Sequence, residues 1–539
     1  EIQEMQSGLA PFLYRDEKEA VEDLLMMLSW DHKRQAAVND RAIDLVTKVR
    51  TTKRNLGELE SFLQEYGLNT DEGLALMTLA EALLRIPDAR TATALIHDKM
   101  VATEWLSKQG DTKDLLVRLA SFGLMLTQKA LNSAISKLSE PVIRKAMAQA
   151  MRILGKQFVL GRTIEEGMKN AAEYEKRGYR ISYDMLGEGA RTDEDADRYF
   201  DHYNMALDKI AESARNTDGR APGLSVKLSA LHPRYEARKQ GYCVPVLTEK
   251  LTQLAQKAAA HNMALTVDAE EVDRLEISLQ VIESVMRTSG LKGWDGFGLA
   301  LQAYQKRAPA LIDHLHTLCQ DTGQKIQVRL VKGAYWDTEI KRAQVLGLDD
   351  YPVFTRKANT DLSYLACAEK MLAARDSFYP MFATHNAHTI ASVLEMAGND
   401  TDGFELQRLH GMGETLHDVV LKEKDVDISI YAPCGSHEEL LPYLVRRLLE
   451  NGASTSFVYQ ILDDRVPPED VVADPVQDAT ASETKRHSKI PLPVDIYRTH
   501  EDRDNSRGMD LTEPTIYGPL FENIKKTVYV KDYESAPLI

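Results

Sequence analysis

The chain has 539 residues, 43% of them hydrophobic, and 82 acidic against 66 basic side chains give it a net charge of −16. That balance argues against a broad nucleic-acid surface, and the absence of any run of 18 apolar residues argues against a transmembrane helix. Four cysteines (Cys243, Cys319, Cys367 and Cys434) without a C-x-x-C pair exclude a zinc knuckle and a disulfide framework and fit a reducing cytoplasm.

Residues 1–110 read as a helical arm and α domain. Asp16–Trp30, Gln35–Val49 and Glu58–Tyr66 repeat apolar residues at spacings of three and four. Thr70–Ile86 is bounded by a capping Thr70 and a terminating Pro87, with Leu76, Met77, Ala80, Leu83 and Leu84 along one stripe. Without any catalytic spacing these are packing helices. Residues 111–178 continue as a helical linker. No signal peptide is visible, and a start at Glu1 instead of methionine implies a native beginning further upstream.

From residue 179 the pattern changes. Eight short apolar runs recur: Tyr179–Asp184, Leu224–Ser229, Ala264–Asp268, Gly298–Gln302, Ile326–Lys332, Met381–His385, Phe404–His410 and Ile428–Tyr431. Helix-like stretches separate most of them, which predicts a (β/α)₈ TIM-like barrel over residues 179–462. The strands' C-terminal ends should then carry the chemistry. Residues 463–539 shift to prolines and charges and read as a linker or loosely ordered cover, with one strand-like run at Thr527–Val530.

The fifth run ends Arg329-Leu330-Val331-Lys332-Gly333-Ala334-Tyr335-Trp336. Two cations beside stacking rings suit a large anionic aromatic ligand such as a dinucleotide. The bland alternative is a strand end neutralised by Asp337 or Glu339. After the eighth run, Tyr443, Arg446, Arg447 and Glu450 share one face of a helix. Adjacent arginines there suit a carboxylate; the alternative is a solvated face with an Arg446–Glu450 pair. Lys227, Asp268 and His385 end other strands, and Glu188 follows the first. His385 and His388 lie three apart, but no matching carboxylates accompany them and no metal site is expected. Lone histidines such as His232 and His410 read as structural. No G-x-G-x-x-G opens a helix after a strand, so any dinucleotide would lie on a barrel rim, outside a Rossmann crevice.

Arg329–Asp337, Ala383–His388, Leu409–Glu414 and Tyr443–Asn451, with Ser182–Glu188, Ser225–Tyr235 and Asp268–Leu275, resemble the proline dehydrogenase barrel of proline utilization A, a family of bacterial bifunctional flavoenzymes. The resemblance is dense over residues 140–460, and Glu72–Pro87 is similar to the family's arm and α domains.

The resemblance implies non-covalent FAD and oxidation of L-proline at C5 to Δ1-pyrroline-5-carboxylate. Hydride would pass to flavin N5 and electrons onward to a membrane quinone, with the protein cytoplasmic or peripheral on the inner face of the cytoplasmic membrane. By the same resemblance Arg329, Lys332 and Gln302 lie around the flavin ring, Arg329 and Asp268 next to the reacting centre, and Trp336 packs on adenine. Val331, Gly333, Thr355, Arg356, Thr384, His385 and Glu450 complete the FAD shell. Lys227, Arg446 and Arg447 grip the proline carboxylate. Asp268, Tyr335, Leu409, Tyr431 and Tyr443 line the pocket, and Glu188 pairs with Arg446 as a gate.

The family's ribbon–helix–helix domain is not visible, so no nucleic-acid partner is expected. Its C-terminal aldehyde dehydrogenase domain is also not visible; Ile490–Pro493 resembles the linker into it, so a longer native protein is expected. Two readings compete from the residues alone: a Schiff-base lyase or aldolase using Lys332 or Lys227, and a non-catalytic docking module.

Overall fold

A computed structural model describes residues 8–28, 30–52, 91, 158–214, 222–398, 400–423, 426–435, 443, 457–461, 465–498 and 501–528. The expected helices Glu58–Tyr66 and Thr70–Ile86 lie outside them, as do Arg446, Arg447 and Glu450.

Eight parallel strands close into one barrel in sequence order. They are β1 (Tyr179–Met185), β2 (Gly223–Val226), β3 (Leu265–Val267), β4 (Phe297–Gln302), β5 (Ile326–Val331), β6 (Phe378–Ala383), β7 (Glu405–Leu409) and β8 (Asp427–Cys434). β8 pairs with β1 from Tyr179 opposite Ile428 to Met185 opposite Cys434, which closes the ring. All eight predicted runs are strands. Their ends move where the last polar residues leave the ladder: β2 stops at Val226, and Leu228–Ala230 turns into a 3₁₀ helix. Outward residues such as Ile181, Leu224, Val328, Leu330, Phe382, Leu406 and Ile430 are buried under the helices. This sandwiching explains the apolar runs.

The barrel's interior is polar. At the N-terminal end Arg180 reaches Tyr379 (3.1 Å) and Asp427 (2.6 Å). Ser429 Oγ donates to Glu405 (2.5 Å) and accepts from Gln407 Nε2 (2.8 Å). These bonds form a plug below the catalytic end.

The arm is wrapped on the outside. Helix α1 (Glu17–Leu28) buries Ala20, Val21, Leu24 and Leu28. Helix α2 (His32–Thr51) starts at Asp31, whose side chain accepts from Arg34 N (2.7 Å), and buries Val38, Ala42, Leu45, Val46 and Val49. Arg34 pairs with Glu369 (2.9 Å) on helix α3 (Lys357–Ala373), and Lys48 with Glu423 (2.7 Å) after β7.

The stretch after the barrel is an ordered cover, with helix α4 (Pro475–Ala481) capped by Asp474 and packed on α3. Asn505 Nδ2 then donates to Gln344 O (2.8 Å), and Tyr14 OH donates to Asp510 (2.5 Å). The expected strand at Thr527–Val530 is corrected: helix α5 (Pro514–Val528) takes in Thr527 and Val528. An amphipathic 15-residue pattern overrides a short β-branched run.

Candidate active site

Five strands aim one cluster at the C-terminal mouth. Lys227, just past β2, points its ammonium at Asp184 on β1 (2.8 Å), Asp268 past β3 (3.1 Å) and Tyr431 on β8 (3.4 Å). Arg329 on β5 donates to Asp268 (2.6 Å), Ser182 (3.1 Å) and Ser225 (2.9 Å). Its guanidinium carbon lies 4.8 Å from the centre of the Tyr431 ring, whose hydroxyl donates to Asp268 (2.7 Å). Beyond Asp337 and Glu339, expected from the sequence as neutralising partners for this strand end, the structure supplies two acids from further away. Arg329 takes Asp268, and Lys332 takes Asp361 (2.5 Å).

The protonation pattern follows from burial against charge. Burial disfavours the Lys227 ammonium, yet Asp184, Tyr431 and Asp268 hold it well above the usual lysine range. Burial also pushes Asp268 up, but Lys227 and Arg329 outweigh it and hold its carboxyl below the ordinary value. Asp184, fully enclosed, goes the other way: burial outweighs Lys227, and Asp268 adds repulsion. Two cations and two carboxyls thus form a compact set with one acid firmly ionised. Asp184 was missed by sequence reasoning as a site residue. Its signal was present, since inward parity on β1 sets Ser182 and Asp184 beside Ser225 and Lys227 on the next strand.

Around this centre the other expected residues occupy the rim. Gln302 ends β4; its amide donates to Glu270 O (2.8 Å) and its oxygen accepts from Ala334 N (3.4 Å). Val331, Lys332, Gly333, Tyr335 and Trp336 follow one another past Arg329. Trp336 Nε1 donates to Phe354 O (2.8 Å). Gly333 has φ +144°, and a Cβ there would sit 2.4 Å from the Tyr304 ring. Thr355 and Arg356 immediately precede α3. Thr384 and His385 follow β6, and His385 Nε2 accepts from Leu409 N (3.0 Å). Glu188 is half-buried after β1, and Tyr443 is buried. Its partners on the same predicted helix, Arg446, Arg447 and Glu450, lie outside the described residues, and so does the Glu188–Arg446 gate. His232 and His410 are buried in packing contacts, His410 edge-on to Tyr174 at 5.7 Å. Among the described residues no group of three His, Cys, Asp or Glu side chains is arranged to hold a metal.

The donor set has unfilled places. Arg329 Nε and Arg356 Nη1 are buried with no hydrogen-bond partner. Such donors are rarely left unsatisfied. Together with Lys332 and the start of α3 they offer positive charge along one side of the mouth, which fits an anionic nucleotide.

The family profile described as "Proline dehydrogenase" matches residues 167–460, more than half of the chain. The chain belongs to the proline dehydrogenase family. Two further profiles match outside the barrel: "Proline utilization A proline dehydrogenase N-terminal domain" over 10–50 and "DNA-binding domain of Proline dehydrogenase" over 58–158. Nearly all of the latter span lies outside the described residues. The "Bifunctional protein PutA" of Klebsiella aerogenes is 46% identical over 97% of this chain and 42% of its own length. "Proline dehydrogenase 1" of Bacillus subtilis (strain 168) is 25% identical over 58% of this chain and 92% of its own. A crystal structure of a Bradyrhizobium japonicum proline utilization A (PutA) mutant superposes with a TM-score of 0.76 at 46% identity, over 97% of this chain and 53% of that one. The chain spans about two fifths of the length of the Klebsiella relative.

Proposed function

We propose that this family member oxidises L-proline to Δ1-pyrroline-5-carboxylate with FAD seated on the barrel mouth and a membrane quinone as final acceptor. One observation carries the reading: Lys227, Arg329, Asp268 and Tyr431 converge from four strands on a single enclosed point beside unfilled donors. When bound, FAD would supply the two-electron acceptor, taking the C5 hydride of proline at N5.

The chain's own residues do the rest. Lys227, kept protonated by its neighbours, is an anchor for the carboxylate of proline, joined by Arg446 and Arg447. Lys227 has three N–H donors and three partners, so a substrate carboxylate displaces Tyr431, the longest contact at 3.4 Å. Arg329 would favour added negative charge at the acceptor, since its remaining Nε donor points into a water-poor site. Asp268 fixes Lys227 and Arg329 relative to each other and so holds both to the near-contact geometry that hydride transfer needs, about 3–3.5 Å. Tyr335, Leu409, Tyr431 and Tyr443 line the pocket, with Glu188 as the gate. On the nucleotide side Gln302, Val331, Lys332, Gly333, Trp336, Thr355, Arg356, Thr384, His385 and Glu450 are the proposed holders. Contact with a quinone pool is proposed to be peripheral, from the cytoplasmic side; among the described residues no helix is long and apolar enough to cross a membrane.

The Schiff-base alternative needs a neutral lysine. Lys227 is held protonated between two carboxyls, which disfavours it as nucleophile. The test is direct: purified protein should show flavin absorbance that bleaches on adding L-proline without oxygen. Colourless protein trapped by borohydride with substrate would sink the proposal. Arg446→Met should raise the proline KM strongly with flavin still bound; an unchanged KM removes it from the carboxylate site.

A further inference from the structure

We infer that Glu17, on the arm, is a positioning residue for the nucleotide end of the site. The inference rests on the FAD reading above. Glu17 is wholly buried. Its carboxylate accepts from Thr355 N (2.8 Å), Thr355 Oγ1 (2.7 Å) and Asn359 Nδ2 (2.7 Å). The cover reaches the same spot: Asn359 Nδ2 also donates to Lys485 O (2.6 Å), and His487 N donates to Thr355 Oγ1 (2.9 Å). Lys306, with its side chain fully enclosed, donates to Arg15 O (2.8 Å) and faces Asp350 (3.3 Å), which Arg486 grips with both nitrogens (2.8 and 2.6 Å). Three segments remote in sequence, 15–17, 350–359 and 485–487, are thereby tied at one buried point.

Burying a carboxylate is unfavourable by several kcal/mol unless donors and cations replace water. Here both are supplied, and the residue they fix is Thr355. The next residue, Arg356, stands at the threshold of α3 in an extended conformation (φ −110°, ψ 137°) with no side-chain cap of its own. Its backbone course is therefore set partly from outside the barrel, by the arm and the cover, together with Phe354 N donating to Tyr304 O (2.9 Å) on the barrel side. The corner so fixed carries Arg356, with its buried unfilled Nη1, beside Lys332 and Lys357 on their shared Asp361 (2.5 and 2.7 Å). These are the groups that would meet the phosphates. The proline end, at Lys227 and Arg329, shares no bond with Glu17. Loosening the knot should weaken nucleotide binding and leave proline handling intact.

The experiment titrates apo-protein with FAD, following quenching of flavin fluorescence, and measures hydrogen exchange at the Thr355 amide. Glu17→Ala is expected to raise the FAD Kd at least tenfold and to speed that exchange, while the flavin-saturated variant keeps its proline KM and flavin-reduction rate within about twofold. Glu17→Gln should restore most of the affinity, because its amide oxygen still accepts from Thr355 N and Asn359. Arg34→Ala is the control: it breaks another tie between arm and α3, the 2.9 Å pair with Glu369, and should lower Tm without altering Kd. If Glu17→Ala does not fold, Asn359→Ala serves, with a severalfold rise in Kd expected. An unchanged Kd in the folded variant, or an equal rise in Arg34→Ala, overturns the inference. Wild-type protein that takes up no FAD overturns the FAD reading instead.

Discussion

Asp184 and Asp268 carry the same side chain on neighbouring sides of one lysine, and their surroundings drive them apart. Asp268 has two cations and a tyrosine hydroxyl, which favour its charge; Asp184 has one cation and full enclosure, which does not. The two cations they hold have different experimental signatures. Lys227→Met should raise the proline KM about 10–100-fold, the equivalent of one charge-assisted hydrogen bond of about 1.5–3 kcal/mol; steady-state assays with a dye acceptor would read it. Arg329→Met should slow flavin reduction at least about tenfold, roughly 1.4 kcal/mol of barrier, in single-turnover stopped-flow, with equal rates counting against its place near N5. Lys227 and Asp268 were legible in sequence because each stands at the end of an apolar run, where a barrel gathers its chemistry, and Arg329 because it is a cation inside the fifth run. Asp184 ends its run in the same way, but only the inward parity of β1 in the closed barrel sets it against Lys227. The partners of Lys332 were equally hidden: Asp361 lies 29 positions on, brought back by α3.

At the scale of elements, the loop after β5 is under a strict steric rule. Gly333 combines φ +144° with a Tyr304 ring where a Cβ would stand. Gly333→Ala should therefore lower stability by about 1–3 kcal/mol, visible as a drop in Tm, and should reduce flavin retention if that loop borders the nucleotide. A wild-type melting curve from the alanine variant would show that the loop can shift freely. Eight strands were readable because the residues facing the surrounding helices are apolar in every run, with polar inward residues alternating between them in strands such as β1 and β5. Their exact ends were not, since the polar residues that finish each run sit beyond the ladder, as at Lys227 and Asp268. The cover was harder still. Its prolines and charges look like a linker, and only tertiary partners such as Asp474, Lys485 and Asp510, all buried, reveal that it is fixed in place.

Across the whole molecule, buried histidines set an acid limit. Burial holds His417 at about 4 and His410 at about 3, against an ordinary 6.5, with Arg408 nearby adding to both. His417 Nε2 and His410 Nδ1 are enclosed without partners, so a proton there would be an unpaired buried charge. The folded state thus resists protons that the unfolded chain accepts below about 6.5. This stability is fully present above that pH and is lost as pH falls from 6.5 towards 4, by up to about 1.4 kcal/mol per pH unit for each histidine. Thermal unfolding from pH 8 to 5 should show it, and a Tm flat across pH 6.5 to 5 would contradict it. On the same scale, the acidic balance leads us to expect no retardation of duplex DNA by this chain in a gel-shift assay at physiological salt, despite the name of the profile over residues 58–158; a salt-sensitive shift would reverse that expectation.

The plug of Arg180, Glu405, Asp427 and Ser429 spans the far end of the barrel. Among the described residues, a vessel stoppered at its base keeps its doorway at the other end. If proline is the reactant, then the amino acid coming in, the imine going out and the electrons leaving all share that threshold. Traffic through it takes turns, and saturating with either reactant should hinder the other.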